Sequence, residues 1–311
     1  MKLFRRKQRT PKQRLKQALL ASGALVVVFT LTVVSLGAAW LAGYKVPLAS
    51  GATYIKVQKL ASTEADAAAG PTTPFFILLV GNDDRPGVGG ARGDALHLVG
   101  VNPKLHKATM LDIPRDTCWA GDKINAANAN GGAPAQAAAV GGLIGVPVSY
   151  AVDVNFDGFT SLVDGVGGFS MNIPFEMHDP YSGAYFQPGV QHMTGDEALR
   201  FSRDRHDFPQ SDIVRTENQG LLIIAGIAQM QKDAQSAGGQ FKLIKLLYQH
   251  AELDNLGVTD LFRLGRIMYD IPVNAIRNLT IPVTNGNCLG LSGDAPGLFA
   301  DFADDAVLQS H

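Results

Sequence analysis

The sequence predicts an α/β or α+β domain held behind one membrane-spanning helix, and three observations carry that prediction. A basic block runs into a long uncharged apolar stretch. A continuous apolar run, Phe75 to Val80, has the character of a strand buried on both faces. Beyond it, strand-like runs interleave with segments of helical apolar spacing.

The first sixteen residues carry eight bases and no acid: Lys2, Arg5, Arg6, Lys7, Arg9, Lys12, Arg14 and Lys16. No charge follows from Gln17 to Tyr44, and Ala18–Gly43 is long enough to cross about 30 Å of hydrocarbon as a helix. A cleaved signal has a shorter apolar core, of about 7–15 residues. Trp40 and Tyr44 stand where an interfacial aromatic belt belongs. The division expected is a basic cytoplasmic tail (1–17), a transmembrane helix (18–43), a stalk or edge element (44–73) and an extracytoplasmic domain (74–311) in a single-pass cell-membrane protein.

That division changes the meaning of the overall charge of -1. Removing the eight tail bases leaves 19 bases against 28 acids outside, about -9, which excludes a nucleic-acid binder there. The composition, 46% hydrophobic and 18% charged, excludes a disordered chain. Two cysteines exclude a four-thiolate zinc site. Cys118 and Cys288 can be two free thiols or one disulfide; placement outside the membrane favours the disulfide.

Within the domain, the Phe75–Val80 strand stops at Gly81, and a glycine-rich turn follows at Pro86–Gly90. Strands are expected at Ala95–Val101 and Ala108–Ile113, with Asn102-Pro103 as the turn between them. Ala126–Gly145 reads as a helix, Val146–Val154 as a strand, Phe156–Val166 as a helix and Phe169–Ile173 as a strand. Helices are expected at Glu197–Ser202, Asp212–Lys232, Phe241–Gln249 and Thr259–Met268, then a strand at Leu279–Val283.

Four polar clusters stand at element ends: Gly81-Asn82-Asp83-Asp84-Arg85, Arg92-Gly93-Asp94, Ile113-Pro114-Arg115-Asp116-Thr117, and Arg203, Arg205, Asp212, Arg215 and Gln219. Loops at strand ends are where α/β sheets hold ligands. Several arginines with carboxylates suit a diphosphate and a divalent metal, because a guanidinium grips phosphate oxygens bidentately and keeps its charge. Asp83 and Asp94 are the hard oxygen ligands for Mg²⁺ or Mn²⁺. Each cluster alone reads more readily as a surface ion pair, and Arg203 and Arg205, interleaved with Asp204 and Asp207, as a solvated helix end. The seven histidines show no HxxxH or HExxH spacing, and GxSxG, Walker A and GxGxxG are missing.

The clusters in order, with Lys123-Ile124-Asn125-Ala126, Asn155-Phe156-Asp157-Gly158-Phe159, Leu162 to Gly168, and Thr194 to Arg205, closely resemble the LytR–CpsA–Psr family over roughly residues 74–232. The resemblance implies an α/β/α sandwich around a central mixed sheet, with an apolar cleft for lipid. It implies a membrane-anchored phosphotransferase of the Gram-positive envelope. Such an enzyme moves a polyprenyl-diphosphate-linked glycopolymer onto peptidoglycan, at a muramic acid hydroxyl, as a phosphodiester. Carried over residue by residue, Asp83 and Asp94 match the metal-side acids. Arg85, Arg92, Arg115, Arg203, Arg205, Arg215 and Gln219 match the diphosphate-binding set, and Arg115 joins Asp83 and Asp94 as catalytic. Either acid is a candidate to accept the hydroxyl proton. Ala137–Ile144, Phe156–Val163 and Leu221–Ile227 are apolar runs that line either a lipid cleft or an ordinary core. The chain departs from the family pattern at Ala95, where a hydroxyl residue is usual, and at Asn218, where a second arginine often precedes the glutamine. Two other activities suit the same site: hydrolysis of the diphosphate by water, and non-catalytic binding of lipid-linked glycans by a tethered scaffold.

Overall fold

The computed structural model describes residues 55–60, 73–83, 91–207 and 211–308. The elements in chain order are β1 (Ile55–Lys59), β2 (Phe75–Asn82), β3 (Gly93–Asn102), β4 (Lys107–Asp112), β5 (Cys118–Trp119) and β6 (Asp122–Lys123). Then come α1 (Ala126–Ile144), β7 (Tyr150–Asn155), α2 (Phe156–Val166), β8 (Phe169–Ile173), β9 (Met177–Asp179), β10 (Ala184–Phe186) and β11 (Gly189–Met193). The chain continues through α3 (Gly195–Arg203), α4 (Ser211–Asp233), α5 (Ala237–His250), β12 (Ala251–Asp254) and α6 (Val258–Asp270). It closes with β13 (Ile276–Thr280), β14 (Val283–Thr284), β15 (Gly290–Leu291) and α7 (Ala295–Asp305).

Seven strands form one mixed sheet in the order β12-β1-β7-β2-β3-β4-β13. β2 runs parallel to β7 and β4 parallel to β13, while β3 runs antiparallel to both of its neighbours. Alternation sorts the side chains. Leu78, Val80, Leu96, Leu98 and Leu111 meet Val140 and Ile144 of α1 and Phe299 and Phe302 of α7. Val99, Val101, Ala108 and Met110 meet Ile223 and Ile224 of α4 and Ile267 and Met268 of α6. The sheet therefore lies between two helical layers, the α/β class expected. A lateral cluster joins Val163 of α2, Phe169, Met171 and Met177 of the short strands, Phe201 of α3 and Leu222 of α4.

Two glycines fix how close the layers come. A Cβ on Gly100 would stand 2.5 Å from the Ala306 carbonyl oxygen and 2.6 Å from Phe302. A Cβ on Gly220 of α4 would stand 2.3 Å from Asp112 Oδ2 and 2.4 Å from Asn278 Nδ2. Under Gly220 lies a buried pair, His97 Nδ1 and Asp112 Oδ1, 2.6 Å apart.

Several expectations are met closely, and others are corrected. Residues 44–73 do not form a stalk throughout: Ile55–Lys59 is an inner strand, between β12 and β7. Its alternation is only five residues long and carries Lys56, Gln58 and Lys59, so it looks polar in sequence. The late strand runs Ile276–Thr280 rather than Leu279–Val283, because Pro282 cannot extend the ladder with β4. The run Ala137–Ile144 is core: Ala137, Val140 and Ile144 are buried against the sheet. Among the described residues no helix is long and apolar enough to cross a membrane. The expected span 18–43 and the tail before it lie outside the described residues.

Cys118 and Cys288 are bonded, with Cα atoms 5.2 Å apart across 170 residues of sequence. The bond ties the segment after β4 to the loop before β15, beside the hydrogen bonds Cys118 N–H to Leu289 O (2.8 Å) and Leu289 N–H to Asp116 O (2.9 Å). Replacing both cysteines by serine is expected to lower unfolding stability by about 3–5 kcal/mol in denaturant titration; unchanged stability contradicts the bond. Gly220→Ala is expected to cost about 1–3 kcal/mol, by prising α4 off Asp112. A thermal midpoint equal to wild type contradicts the close approach.

Candidate active site

The ends of β2, β4 and β7 meet the start of β3 on one rim of the sheet. The pairing of β2 with β3 slips there: Gly81 faces Ala95 while Asn82 faces Gly93. Asp94 is therefore the extra residue of a bulge, a device that re-aims a side chain out of the ladder. Asp83 follows Asn82 on the facing strand, so both predicted acids flank one irregularity. Asn82 is buried, and its Nδ2 donates to Asp153 Oδ1 at 2.5 Å, tying the strand end to β7. At the end of β7, Asn155 caps α2, its side-chain oxygen accepting from Gly158 N–H at 2.8 Å.

Pro114 and Arg115 follow β4 directly. Arg115 Nη1 donates to Asp94 Oδ1 at 2.6 Å, and its Nε lies 3.5 Å from Asp212 Oδ1 and 3.7 Å from Asp116 Oδ1. Asp212, in the first turn of α4, also accepts from Arg215 Nη2 at 2.5 Å. Arg215 Nη2 in turn reaches the Asp94 carbonyl oxygen at 3.4 Å. The four residues close a ring: Asp94, Arg115, Asp212, Arg215. Asp116 is held from its other side by Lys123 Nζ at 2.7 Å.

Burial and charge act on this ring together. Arg215 is 5% exposed. Burial, with Arg115 and Arg205 close by, lowers its pKa to about 10 although Asp212 opposes the change, so it stays charged at neutral pH. Burial alone would lower Arg115 too, but Asp94, Asp212 and Asp116 raise it above the ordinary arginine value. The Nε atoms of Arg115, Arg205 and Arg215 are buried and lack hydrogen-bond partners among the described residues. Buried donors without partners are costly, and an anion at this rim would offer oxygens to such groups.

Other predicted residues fall around this centre. Gln219, one turn beyond Arg215, donates to the Ser202 carbonyl at 2.9 Å, clamping α4 to the end of α3. Arg203, the last residue of α3, lies over the Phe156 ring at 5.1 Å, a cation–π contact. Among the described residues neither Arg203 nor Arg205 forms a salt bridge. Arg92 is exposed and stays outside the ring. Arg85 lies outside the described residues. Among the described residues no three His, Cys, Asp or Glu side chains converge as metal ligands. Asp83 and Asp94 flank the bulge with carboxylate oxygens, the donor type a hard divalent cation takes. Sequence reasoning placed Asp212 in the fourth cluster but missed its position between two arginines, which depends on where α4 packs.

Behind Arg205 lies a group of carboxylates. Asp179, fully buried, accepts from Arg205 N–H (3.3 Å), Tyr181 N–H (2.8 Å) and the His206 ring (3.0 Å). Burial by itself raises its pKa, but these bonds, led by His206, hold it well below the usual carboxylate range. Asp204 goes the other way: burial first, then the nearby Asp207 and Asp179, push it up to about 6.

The sequence profile of the family described as LytR_cpsA_psr matches residues 43–295. The chain is 38% identical over 160 residues to the polyisoprenyl-teichoic acid–peptidoglycan teichoic acid transferase TagU of Bacillus mycoides, covering 50% of this chain and 52% of that one. It is 38% identical over 163 residues to the protein of the same name in Halalkalibacterium halodurans, covering 50% and 53%. The chain thus spans about half the length of the curated relatives it matches. Among solved structures it resembles B. subtilis TagV at TM-score 0.62 and 28% identity, covering 75% of this chain and 96% of that one. The LytR-Csp2A-Psr enzyme from Actinomyces oris, at TM-score 0.64 and 20% identity, covers 75% and 91% and shares the fold.

The shift at Asp204 sets a pH test. Its folded pKa of about 6 exceeds the unfolded one, so the burial penalty is fully present above pH 6 and vanishes once both states are protonated. Asp204→Asn is therefore expected to raise the thermal midpoint at pH 7.5, with the gap closing toward pH 4. A gap independent of pH contradicts the shift.

Proposed function

Because the chain belongs to the LytR–CpsA–Psr family, we propose that it is a membrane-anchored phosphotransferase. It moves a polyprenyl-diphosphate-linked glycopolymer onto peptidoglycan, at a muramic acid hydroxyl, as a phosphodiester, and releases polyprenyl phosphate. The observation that carries the reading is the pairing of buried Arg215 and half-buried Arg115 around Asp94 and Asp212, with half-buried Arg205 beside Arg215; the Nε atom of each is buried and makes no hydrogen bond among the described residues. A diphosphate supplies oxygens to such a set in number and charge. The basic tail and the uncharged run 18–43 support an anchored chain with its N-terminus in the cytoplasm and the domain from β1 onward outside.

Arg115, Arg205 and Arg215 hold the diphosphate and neutralise charge on the leaving phosphate. Arg203 and Arg92, both exposed, stand further out and steer it. Gln219 keeps α4 and α3 together, so that Arg215 and Arg205 face the same ligand. The acceptor hydroxyl attacks the glycan-side phosphorus, and the bond to the polyprenyl phosphate breaks. The hydroxyl proton passes to a carboxylate, Asp94 or Asp83. Asp94 already gives one oxygen to Arg115, which fixes its orientation for that task. Mg²⁺ or Mn²⁺, held by Asp83 and Asp94, would supply further neutralisation of the phosphoryl oxygens.

The test uses the full chain in detergent, a synthetic polyprenyl-diphosphate glycan and a peptidoglycan fragment. Wild type with Mg²⁺ is expected to yield a phosphodiester-linked glycan on the fragment. Arg115→Ala is expected to lower the rate at least about 100-fold, and EDTA to abolish it. Release of polyprenyl phosphate with nothing on the acceptor would establish a hydrolase instead. Tight binding of the donor without turnover would establish a scaffold.

A further inference from the structure

The hairpin β9–β10 turns its apolar side inward and an aromatic side outward. Met177, Asp179, Ala184 and Phe186 are buried; His178 and Tyr185, paired across the strands, are exposed. Their rings meet edge to face, centroids 4.9 Å apart. At the hairpin tip Tyr181 is 79% exposed, and Tyr185 is 55% exposed. Tyr181 stacks on the exposed ring of His206 at 4.5 Å. Two exposed ring pairs thus border the hairpin, His178–Tyr185 on its outward side and Tyr181–His206 at its tip.

This surface is mechanically part of the rim described above. Asp179 accepts from both the Arg205 backbone N–H and the His206 ring, and Asp207 Oδ2 accepts from His178 N–H at 2.5 Å. The tip is fixed by Tyr181 N–H on Asp179 Oδ1. Hairpin and arginine segment therefore form one piece, with His206 the next residue after Arg205.

The chemistry of the surface selects its ligand. The apolar faces of saccharide rings carry C–H groups of partial positive charge, which pack on aromatic π faces. Asp207, which accepts from His178 N–H, puts a carboxylate beside the outward rings and does not favour a polyanion there. Arg200, whose stem lies under the tip beside Gly183, is paired with Asp196. The lipid-linked donor brings a diphosphate for the arginines to grip. A peptidoglycan glycan strand carries no phosphate along its backbone; it presents ring faces, hydroxyls, acetamido groups and lactyl-linked peptides, and its ring faces suit exposed aromatic rings.

We propose that His178, Tyr181, Tyr185 and His206 form the seat of the acceptor glycan strand and deliver its hydroxyl to the arginine rim. This inference rests on the transferase reading. Tyr181 and Tyr185 act by positioning; they touch sugars rather than the reacting phosphorus.

The probe is purified insoluble peptidoglycan, stripped of attached polymers, sedimented with the full chain in detergent. The double variant Tyr181→Ala/Tyr185→Ala is expected to bind about tenfold more weakly, and Tyr181→Phe/Tyr185→Phe to bind like wild type. In the transfer assay the alanine pair should raise KM for the acceptor, leaving kcat and the donor KM unchanged. The proposal is overturned if the alanine pair sediments like wild type, if wild type does not sediment, or if the donor KM rises instead. Sedimentation needs no turnover. Wild type that binds through its rings but transfers nothing would overturn the transferase reading alone. Wild type that transfers, with the alanine pair unimpaired, would overturn the platform alone.

Discussion

Asp212 holds apart two guanidiniums that would otherwise repel each other in a partly dry site. Its Oδ1 lies 2.5 Å from Arg215 and 3.5 Å from Arg115, and both arginines also touch Asp94. The ring joins three stretches distant in sequence: the β3 bulge, the segment after β4 and the start of α4. Removing Asp212 would do more than delete an ion pair. It would leave the buried charge of Arg215 facing the half-buried like charge of Arg115 with one carboxylate fewer between them, a costly arrangement in a partly dry site.

The framework behind the ring explains why these three stretches meet. Gly220 lets α4 descend onto Asp112, and the His97–Asp112 pair fixes the end of β4 three residues before Arg115. The Cys118–Cys288 bond holds the same segment from its other side. Arg115 thus stands between two anchors, one buried under a helix and one covalent. Such pre-organisation lets a guanidinium bind phosphate without first losing its own freedom.

How much of this the amino-acid sequence discloses varies with the physical signal. β2 is legible because burial on both faces makes it uniformly apolar, and α2 because its cap and period agree. β1 is not, since two lysines and a glutamine occupy three of its five positions. β9 and β10 are three residues each, too short for any period to register, so the aromatic hairpin stays hidden. The site acids and arginines are legible as motifs. Their partners are not: the Asp94 bulge, Asp212 between two arginines and Arg203 over Phe156 all arise from register and helix packing, which no local pattern encodes.

Charge on the rim is divided in a way that bears on how two substrates are told apart. The arginine side concentrates positive charge around unsatisfied donors and so favours the ligand richest in anionic oxygen. Just beyond Arg205 the sign reverses: Asp179 is ionised through its hydrogen bonds, while the buried Asp204, beside Asp207 and Asp179, is pushed toward neutrality. A polyanionic chain leaving the arginines is turned away from that side, and a neutral one is not. On the proposed transferase reading, a diphosphate donor and a neutral acceptor would approach the rim from different sides.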